Sequence, residues 1–205
     1  MPHKELKDSN GLTIPSVTNI LGILGKSELY RWYGKHGFEE CERMKREAGE
    51  WGTELHEAIG LYLKGEEISI SSRSAPMLHS FTEWKERSGF KPLMIEPEEP
   101  MISSLWGYQG TFDAVGELDD ELVVADWKTS ARIYPEYGLQ LAAYANLWNE
   151  AHNHKKHIKT GLIVRIDKKT NLVQAKGFYN LPMYFEVFKS LLPVYDFVKR
   201  QKAWA

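Results

Sequence analysis

The chain has 205 residues, 42% of them apolar and 26% charged, with a formal net charge of −2. Such a chain can bury roughly 70% of its unfolded surface, so it folds without staples and disorder is excluded as its main state. Its single cysteine, Cys41, excludes an internal disulfide framework and any cysteine-ligated zinc or iron–sulfur centre of the usual kind. No apolar stretch is long enough to span a bilayer, and the first residues have no apolar core of a secretory signal, so the expectation is a cytoplasmic protein without a membrane partner. Proteins that hold nucleic acid by bulk charge alone are usually basic, and this one is not.

Residues 1–89 read as mainly helical. Ser16 is a plausible N-cap for a segment with Val17, Ile20, Leu21 and Leu24 at helical spacing. Ser27 opens a second segment with Leu29, Trp32 and Tyr33 on one stripe. A charged stretch from Glu39 to Glu50 reads as a solvated face. Trp51, Leu55, Ile59 and Leu63 then recur every four residues on a core-facing helix that stops near Lys64-Gly65. A further helix is expected over Ala75–Arg87 with Met77, Phe81 and Trp84 inward.

Residues 90–205 read as an α/β core. Leu93–Ile102 alternates loosely, and Pro97 and Pro100 mark it as an edge or bulged strand. Tyr108–Leu118 and Glu121–Lys128 form a hairpin around Asp119-Asp120. Then come a helix over Pro135–Ala151, a second hairpin of Thr160–Asp167 and Leu172–Phe178, and a closing helix over Pro182–Lys202. The expected architecture is one domain, a central mixed sheet flanked by helices, with a helical N-terminal region.

The chemistry concentrates in the first hairpin. With Asp119-Asp120 as its loop, residues 118 and 121 face each other and Asp113 falls opposite Asp126. Opposed side chains there have Cβ atoms roughly 4.5–5.5 Å apart. Two carboxylates at that distance repel, and a divalent cation is the simplest reason to keep them; oxygen ligands plus water suit Mg²⁺ or Mn²⁺. Strand alternation puts Lys128 on the same face as Asp126 and Trp127 on the other. Such a trio could polarise a phosphate, activate water and offset developing charge. A solvated ion pair on an exposed strand would give the same spacing. His56, on the helix before the sheet, shares a face with Gly52, Ile59 and Gly60; a lone helical histidine is otherwise a structural residue. Gln140 and Tyr144 could be ordinary polar positions on a half-buried helix. His152, His154 and His157 read as a solvated loop, and Tyr30, Trp32 and Tyr33 as helix core more than base-stacking surface.

Five short motifs follow one another in order: Gly52-Thr53-x-x-His56, an acidic strand at Glu96–Pro100, Gly110-Thr111-Phe112-Asp113, Asp126-Trp127-Lys128-Thr129 and Gln140-Leu141-x-x-Tyr144. Together with Ile14-Pro15-Ser16-Val17-Thr18, this set resembles the PD-(D/E)XK nuclease superfamily, in particular its RecB-like branch of phage and mitochondrial genome-maintenance exonucleases. The resemblance covers about residues 14 to 150. It implies a restriction-endonuclease-like core and a metal-dependent exonuclease acting on single- or double-stranded DNA ends, with recombination or replication proteins as partners. It implies Mg²⁺ or Mn²⁺ held by Asp113, Asp126, His56 and the Trp127 backbone carbonyl, with Lys128 orienting or helping to deprotonate water. Thr129, Gln140 and Tyr144 would position the DNA. A glutamate from the preceding strand usually joins the site; Glu98 fits best through Glu98-x-Pro100, with Glu96 and Glu99 as alternatives. Phe112 stands where the eponymous proline would, and Gly60 where many members carry a glutamate four residues after the histidine. The four cysteines of the cluster-bearing relatives are absent, so no iron–sulfur cluster is expected. A nucleic-acid-binding module with a degraded site and a structure-specific endonuclease of the same fold are the rival readings.

Overall fold

The computed structural model describes residues 6–7, 11–25, 27–97, 99–152 and 156–202, apart from the side chains of 27, 28 and 200–202. Helix α1 (Val17–Leu21) is capped by Ser16, whose hydroxyl accepts from the Asn19 N–H at 3.1 Å while the Asn19 side chain accepts from the Ser16 N–H. A short 3-10 turn (Gly22–Leu24) leads to α2 (Ser27–His36) and then to α3 (Phe38–Lys64). Helix α3 stops at Gly65, which takes the left-handed conformation (φ 72°) that only glycine adopts freely, and its N–H closes the last turn. Helix α4 (Ala75–Ser88) follows.

The strands are β1 (Lys91–Ile95), β2 (Met101–Ser103), β3 (Tyr108–Gly110), β4 (Ala114–Leu118), β5 (Glu121–Lys128), β6 (Thr160–Ile166) and β7 (Val173–Phe178). Five of them form one mixed sheet in the order β1-β4-β5-β6-β7. Only β5 and β6 run parallel, as a pair joined by a crossover helix must. That helix is α5 (Glu136–Ala151), and α6 (Leu181–Lys202) packs against it. The sheet separates two cores. One face carries Val115, Val124 and Ile163 against α5, α1 and α6. The other carries Ala114, Ala125, Trp127 and Val164 against α3 and α4. The expected central mixed sheet flanked by helices, with a helical N-terminal region, is the architecture found. Among the described residues no helix is long and apolar enough to cross a membrane.

The β4–β5 hairpin has the register read from the sequence: Leu118 pairs with Glu121 and Ala114 with Ala125. Asp119 and Asp120 both have positive φ (50° and 61°), the signature of a two-residue hairpin turn. Two expected strands are broken. Leu93–Ile102 divides into β1 and β2, because Glu96 turns the backbone to φ 26° and the segment that follows, with Pro97 and Pro100, cannot sustain a ladder. The expected acidic strand at Glu96–Pro100 is thus a connection between strands. Tyr108–Leu118 divides at Thr111–Asp113, so that β3 pairs with β2 in a separate two-stranded sheet while β4 joins the main one. Phe112 causes the break to pay structurally: it is fully buried in the α5-side core, edge-on to Trp148.

At the far end of β6, Asp167 accepts from the N–H groups of Lys169 and Thr170 and pairs with Arg165. Those bonds favour the ionised form and hold its pKa at about 2, below its usual 3.8. The folded-state pKa is depressed, so the stabilisation is present above the ordinary carboxylate range and is lost as pH falls from about 4 toward 2. Asp167→Asn is expected to flatten that acid limb when urea midpoints are compared across the same pH window.

Candidate active site

Asp113 is the first residue before β4, and extending the β4–β5 register by one places it opposite Asp126. Its two oxygens are engaged differently. Oδ2 accepts the Trp127 N–H at 2.5 Å, and Oδ1 lies 3.2 Å from His56 Nδ1 on α3. His56 thereby reaches the β4–β5 hairpin from α3, the helix that lies across the opposite sheet face. Asp126 is 3% exposed and ion-paired with Lys128 two residues along the same strand face. Outside that pair no donor reaches its sealed Oδ2.

The electrostatics of the group follow from burial and proximity. Burial would raise the Asp113 carboxyl, but the His56 and Lys128 charges outweigh it and the net shift is downward. Asp126 goes the other way: burial, reinforced by repulsion from Asp113, exceeds the pull of Lys128 and pushes it up to about 6. Burial would lower His56 and Lys128, yet the two aspartates raise both. The site is thus a compact set of mutually compensating charges, with the least comfortable carboxylate at Asp126.

The remaining motif residues surround it. Gln140 and Tyr144 lie one turn apart on α5, with Gln140 Nε2 donating to the Tyr144 hydroxyl at 2.9 Å. A Cβ on Gly110 would stand 2.8 Å from the Tyr144 ring, so the absence of a side chain there lets α5 press against the loop that ends in Asp113. Thr129 follows β5, and Gly52 gives it room, since a Cβ there would come within 3.2 Å of Thr129 Oγ1. The Lys128 ammonium sits over the Tyr137 ring, 5.2 Å from its centroid.

Among the glutamates, Glu98 lies outside the described residues. Glu96 is tied to Asp113 through the backbone. Its N–H donates to the Asp113 carbonyl at 2.8 Å, and its Oε2 stands 4.0 Å from where a Gly60 Cβ would be, one turn of α3 beyond His56. The missing side chain at Gly60 leaves the space that the Glu96 carboxylate approaches. His154 also lies outside the described residues, and His152 stacks on Trp148 with a 3.8 Å centroid separation.

Arg165 had no sequence signal, being one arginine in an apolar strand. It is buried on β6 and donates to the carbonyls of Ser130 (2.6 Å) and Ala131 (2.7 Å) besides pairing with Asp167. It therefore ties down the loop that carries Thr129 beyond Lys128. Arg165→Ala leaves the Ser130 and Ala131 carbonyls and Asp167 Oδ2 without this donor and is expected to cost about 3 kcal/mol. The urea-unfolding midpoint measures this directly.

The donor set tests whether a metal suits the site. Two carboxylates are hard oxygen ligands of the kind Mg²⁺ and Mn²⁺ take, with the imidazole as a borderline nitrogen donor beside them, and the buried Asp126 Oδ2, whose partner is the Lys128 ammonium, already stands where a positive charge is held. Among the described residues no three His, Cys, Asp or Glu side chains stand at cage spacing. The reason is visible: His56 and the Trp127 N–H occupy Asp113, and Lys128 occupies Asp126.

The chain is similar in sequence to known proteins. Mitochondrial genome maintenance exonuclease 1 of Homo sapiens is 29% identical over 174 residues, covering 74% of this chain and 48% of that protein. The Xenopus tropicalis protein of the same name is 28% identical over 179 residues, covering 76% and 49%. The chain spans about half the length of these curated relatives. Among solved structures, LHK-Exo in complex with dAMP aligns over 92% of this chain and 93% of its own at 13% identity, with a TM-score of 0.41. The alkaline exonuclease LHK-Exo from Laribacter hongkongensis aligns over 71% and 81% at 14% identity, with a TM-score of 0.33. A family model spans residues 29–196, from α2 through nearly all of α6 and across every motif described above except the opening one, and by that match the chain belongs to the PD-(D/E)XK nuclease superfamily.

Proposed function

We propose that this chain is a metal-dependent DNA exonuclease, folded as one nuclease domain over residues 1–205 and working inside the cell on single- or double-stranded DNA ends. The observation that supports this reading best is the convergence of Asp113, Asp126, Lys128 and His56 at one end of the β4–β5 hairpin, residues from two strands and a helix that no folding requirement brings together. Asp113 and Asp126, with His56 and the Trp127 carbonyl alongside, would hold Mg²⁺ or Mn²⁺, which when bound would supply a Lewis acid for the phosphate and an activated water. Glu96 is the glutamate we assign to the rim of that site, in place of Glu98.

The chain's own groups do the rest. Lys128, as an ammonium beside Asp126, orients water and offsets the charge that develops on the phosphoryl oxygens. Gln140 and Tyr144, locked to each other, present a fixed polar edge to the DNA strand, and the Thr129 hydroxyl lies at the mouth of the site. Phosphodiester hydrolysis then needs no covalent intermediate. Recombination, replication or repair of DNA are the settings in which such an activity serves, with proteins of those processes as partners.

The test is incubation with end-labelled linear single- and double-stranded DNA and with a covalently closed circle, in Mg²⁺, Mn²⁺ or EDTA. Loss of the linear DNA in either metal, with the circle spared, is the expected result. Cleavage of the circle would make the chain an endonuclease. Binding without cleavage of any substrate would reduce it to a binding module.

A further inference from the structure

Two clefts open on Lys128 from opposite sides. One, of about 750 Å³, runs toward α1 and α2 and is walled by Leu21, Leu24, Leu29, Tyr30 and Tyr137. The other, of about 990 Å³, runs the opposite way past His56 and is lined by Trp51, Arg73, Lys168 and Lys169. Glu47 and Asp167 line the second cleft too, and with Arg73, Lys128, Lys168 and Lys169 set against those two carboxylates its lining carries a net positive charge.

Trp51 is its centre. The Arg73 guanidinium lies over the indole ring at 4.8 Å from the centroid and the Lys168 ammonium at 5.4 Å. Lys168 also donates to the Ala48 carbonyl at 2.7 Å. Neither cation has an ion-pair partner among the described residues, nor has Lys169. The nearby acids are engaged elsewhere: Glu47 with Arg43, Glu54 with Ser71 and Ser74, and Asp167 with Arg165 and the turn's own N–H groups. The indole Nε1–H is buried in the same region without an acceptor. Three positive charges from the α3–α4 connection and the β6–β7 turn therefore line one cleft around Trp51 of α3. Parts of the chain so distant in sequence do not share charge through a periodic surface pattern. Burial, and then the charge of Arg73, lower the Lys168 pKa, as expected for a half-buried cation close to a second one.

We propose that this cleft holds the DNA strand on one side of the cut, with Arg73, Lys168 and Lys169 taking successive backbone phosphates and Trp51 spacing the first two. This rests on the nuclease reading above and adds to it the path of the substrate. Because the contacts are to phosphates, recognition is independent of sequence. The occupant is a single strand. Its volume of about 990 Å³ is that of a pocket for a small molecule, room for a few nucleotides of one strand. Two cations already lie over the Trp51 ring, so it organises charge and leaves base stacking to the aromatic cleft walled by Tyr30 and Tyr137.

The experiment is fluorescence anisotropy of a short labelled DNA single strand in EDTA, where nothing is cut, over a range of salt. The protein is compared with the triple variant Arg73→Gln, Lys168→Gln, Lys169→Gln. A charge-matched control, Lys64→Gln, Arg87→Gln, Lys159→Gln, alters exposed cations away from the cleft. Loss of three phosphate contacts makes the slope of log affinity against log salt shallower by about 2, and affinity falls at least about tenfold at low salt. On a linear single strand in Mg²⁺ the triple variant raises KM by a similar factor with kcat retained. Lys169→Glu alone, at an exposed turn residue that packs against no core, weakens binding several-fold and serves if the triple variant folds poorly. Unchanged affinity and slope in the triple variant or in Lys169→Glu, or equal losses in the control, would overturn the proposed path while leaving the nuclease reading intact. A wild-type chain that neither binds nor cuts DNA would overturn both.

Discussion

Lys128→Ala and Asp126→Asn are each expected to lower the rate of metal-dependent DNA cleavage by about 10³-fold, the scale for removing a group that acts only on transition-state charge or on the ion that activates water. The two variants separate in what they do to metal binding. Asp126→Asn removes a negative ligand, so Mn²⁺ binding followed by calorimetry should weaken sharply, as it should in Asp113→Asn. Lys128→Ala removes the cation that now caps Asp126, so it should bind Mn²⁺ at least as well as the wild type while remaining inactive. The reason lies in the ion pair itself: the buried Asp126 carboxylate is held between Asp113, which repels it, and Lys128, which attracts it. Retained cleavage in Asp126→Asn would remove that residue from the chemistry. Loss of metal binding in Lys128→Ala would mean that the lysine builds the site and does not act in the reaction.

Trp127→Ala is expected to destabilise the fold by about 4 kcal/mol, near the middle of the range for truncating a buried aromatic side chain. Trp127 is 2% exposed and stands edge-on to Phe81, with ring centroids 5.0 Å apart, and near Phe90 and Trp84 at 6.1 and 6.4 Å. These rings belong to α4 and to the start of β1, so Trp127 is where the sheet grips its α4 side. Its neighbours in sequence are Asp126 and Lys128, whose side chains point to the other face. The largest apolar anchor of β5 therefore lies between the two residues whose positions matter most. A loss of about 4 kcal/mol is a large fraction of the stability of a domain of this size. Urea unfolding measures it, and Trp127→Phe, which keeps an aromatic ring in the slot, should recover a substantial part. A fall in activity beyond that explained by unfolding would show that the packing on one face of β5 holds the charges on the other.

The sequence by itself determined what depends on periodicity and on local turn chemistry. The two-residue turn at Asp119-Asp120 sets the β4–β5 register, and a period of two then places Asp113, Asp126 and Lys128 on one face and Trp127 on the other. The four-residue apolar spacing from Trp51 to Leu63 and the stop at Gly65 defined the helix that carries His56. The contact of His56 with Asp113 had no periodic signal of its own and was reached only through the motif resemblance.

Tertiary structure decided what depends on contacts between segments far apart in the chain. Whether Tyr108–Leu118 is one strand or two turned on where Phe112 could be buried, and the answer lay on α5. Glu96 came to lie beside the Asp113 backbone and the space above Gly60 by a left-handed turn, a match between a glutamate and a glycine 36 positions apart that neither residue announces. Trp51, read from its spacing as a core residue, lies half-buried at a cleft because the β6–β7 turn brings Lys168 onto its ring. Arg165 looked like a stray charge in an apolar strand until the loop after Lys128 supplied two carbonyls for it. Patterns along a chain report which face a side chain takes. Which partner waits on that face is a property of the packed whole, because the energies that select it come from desolvation and charge among residues that only folding brings within reach.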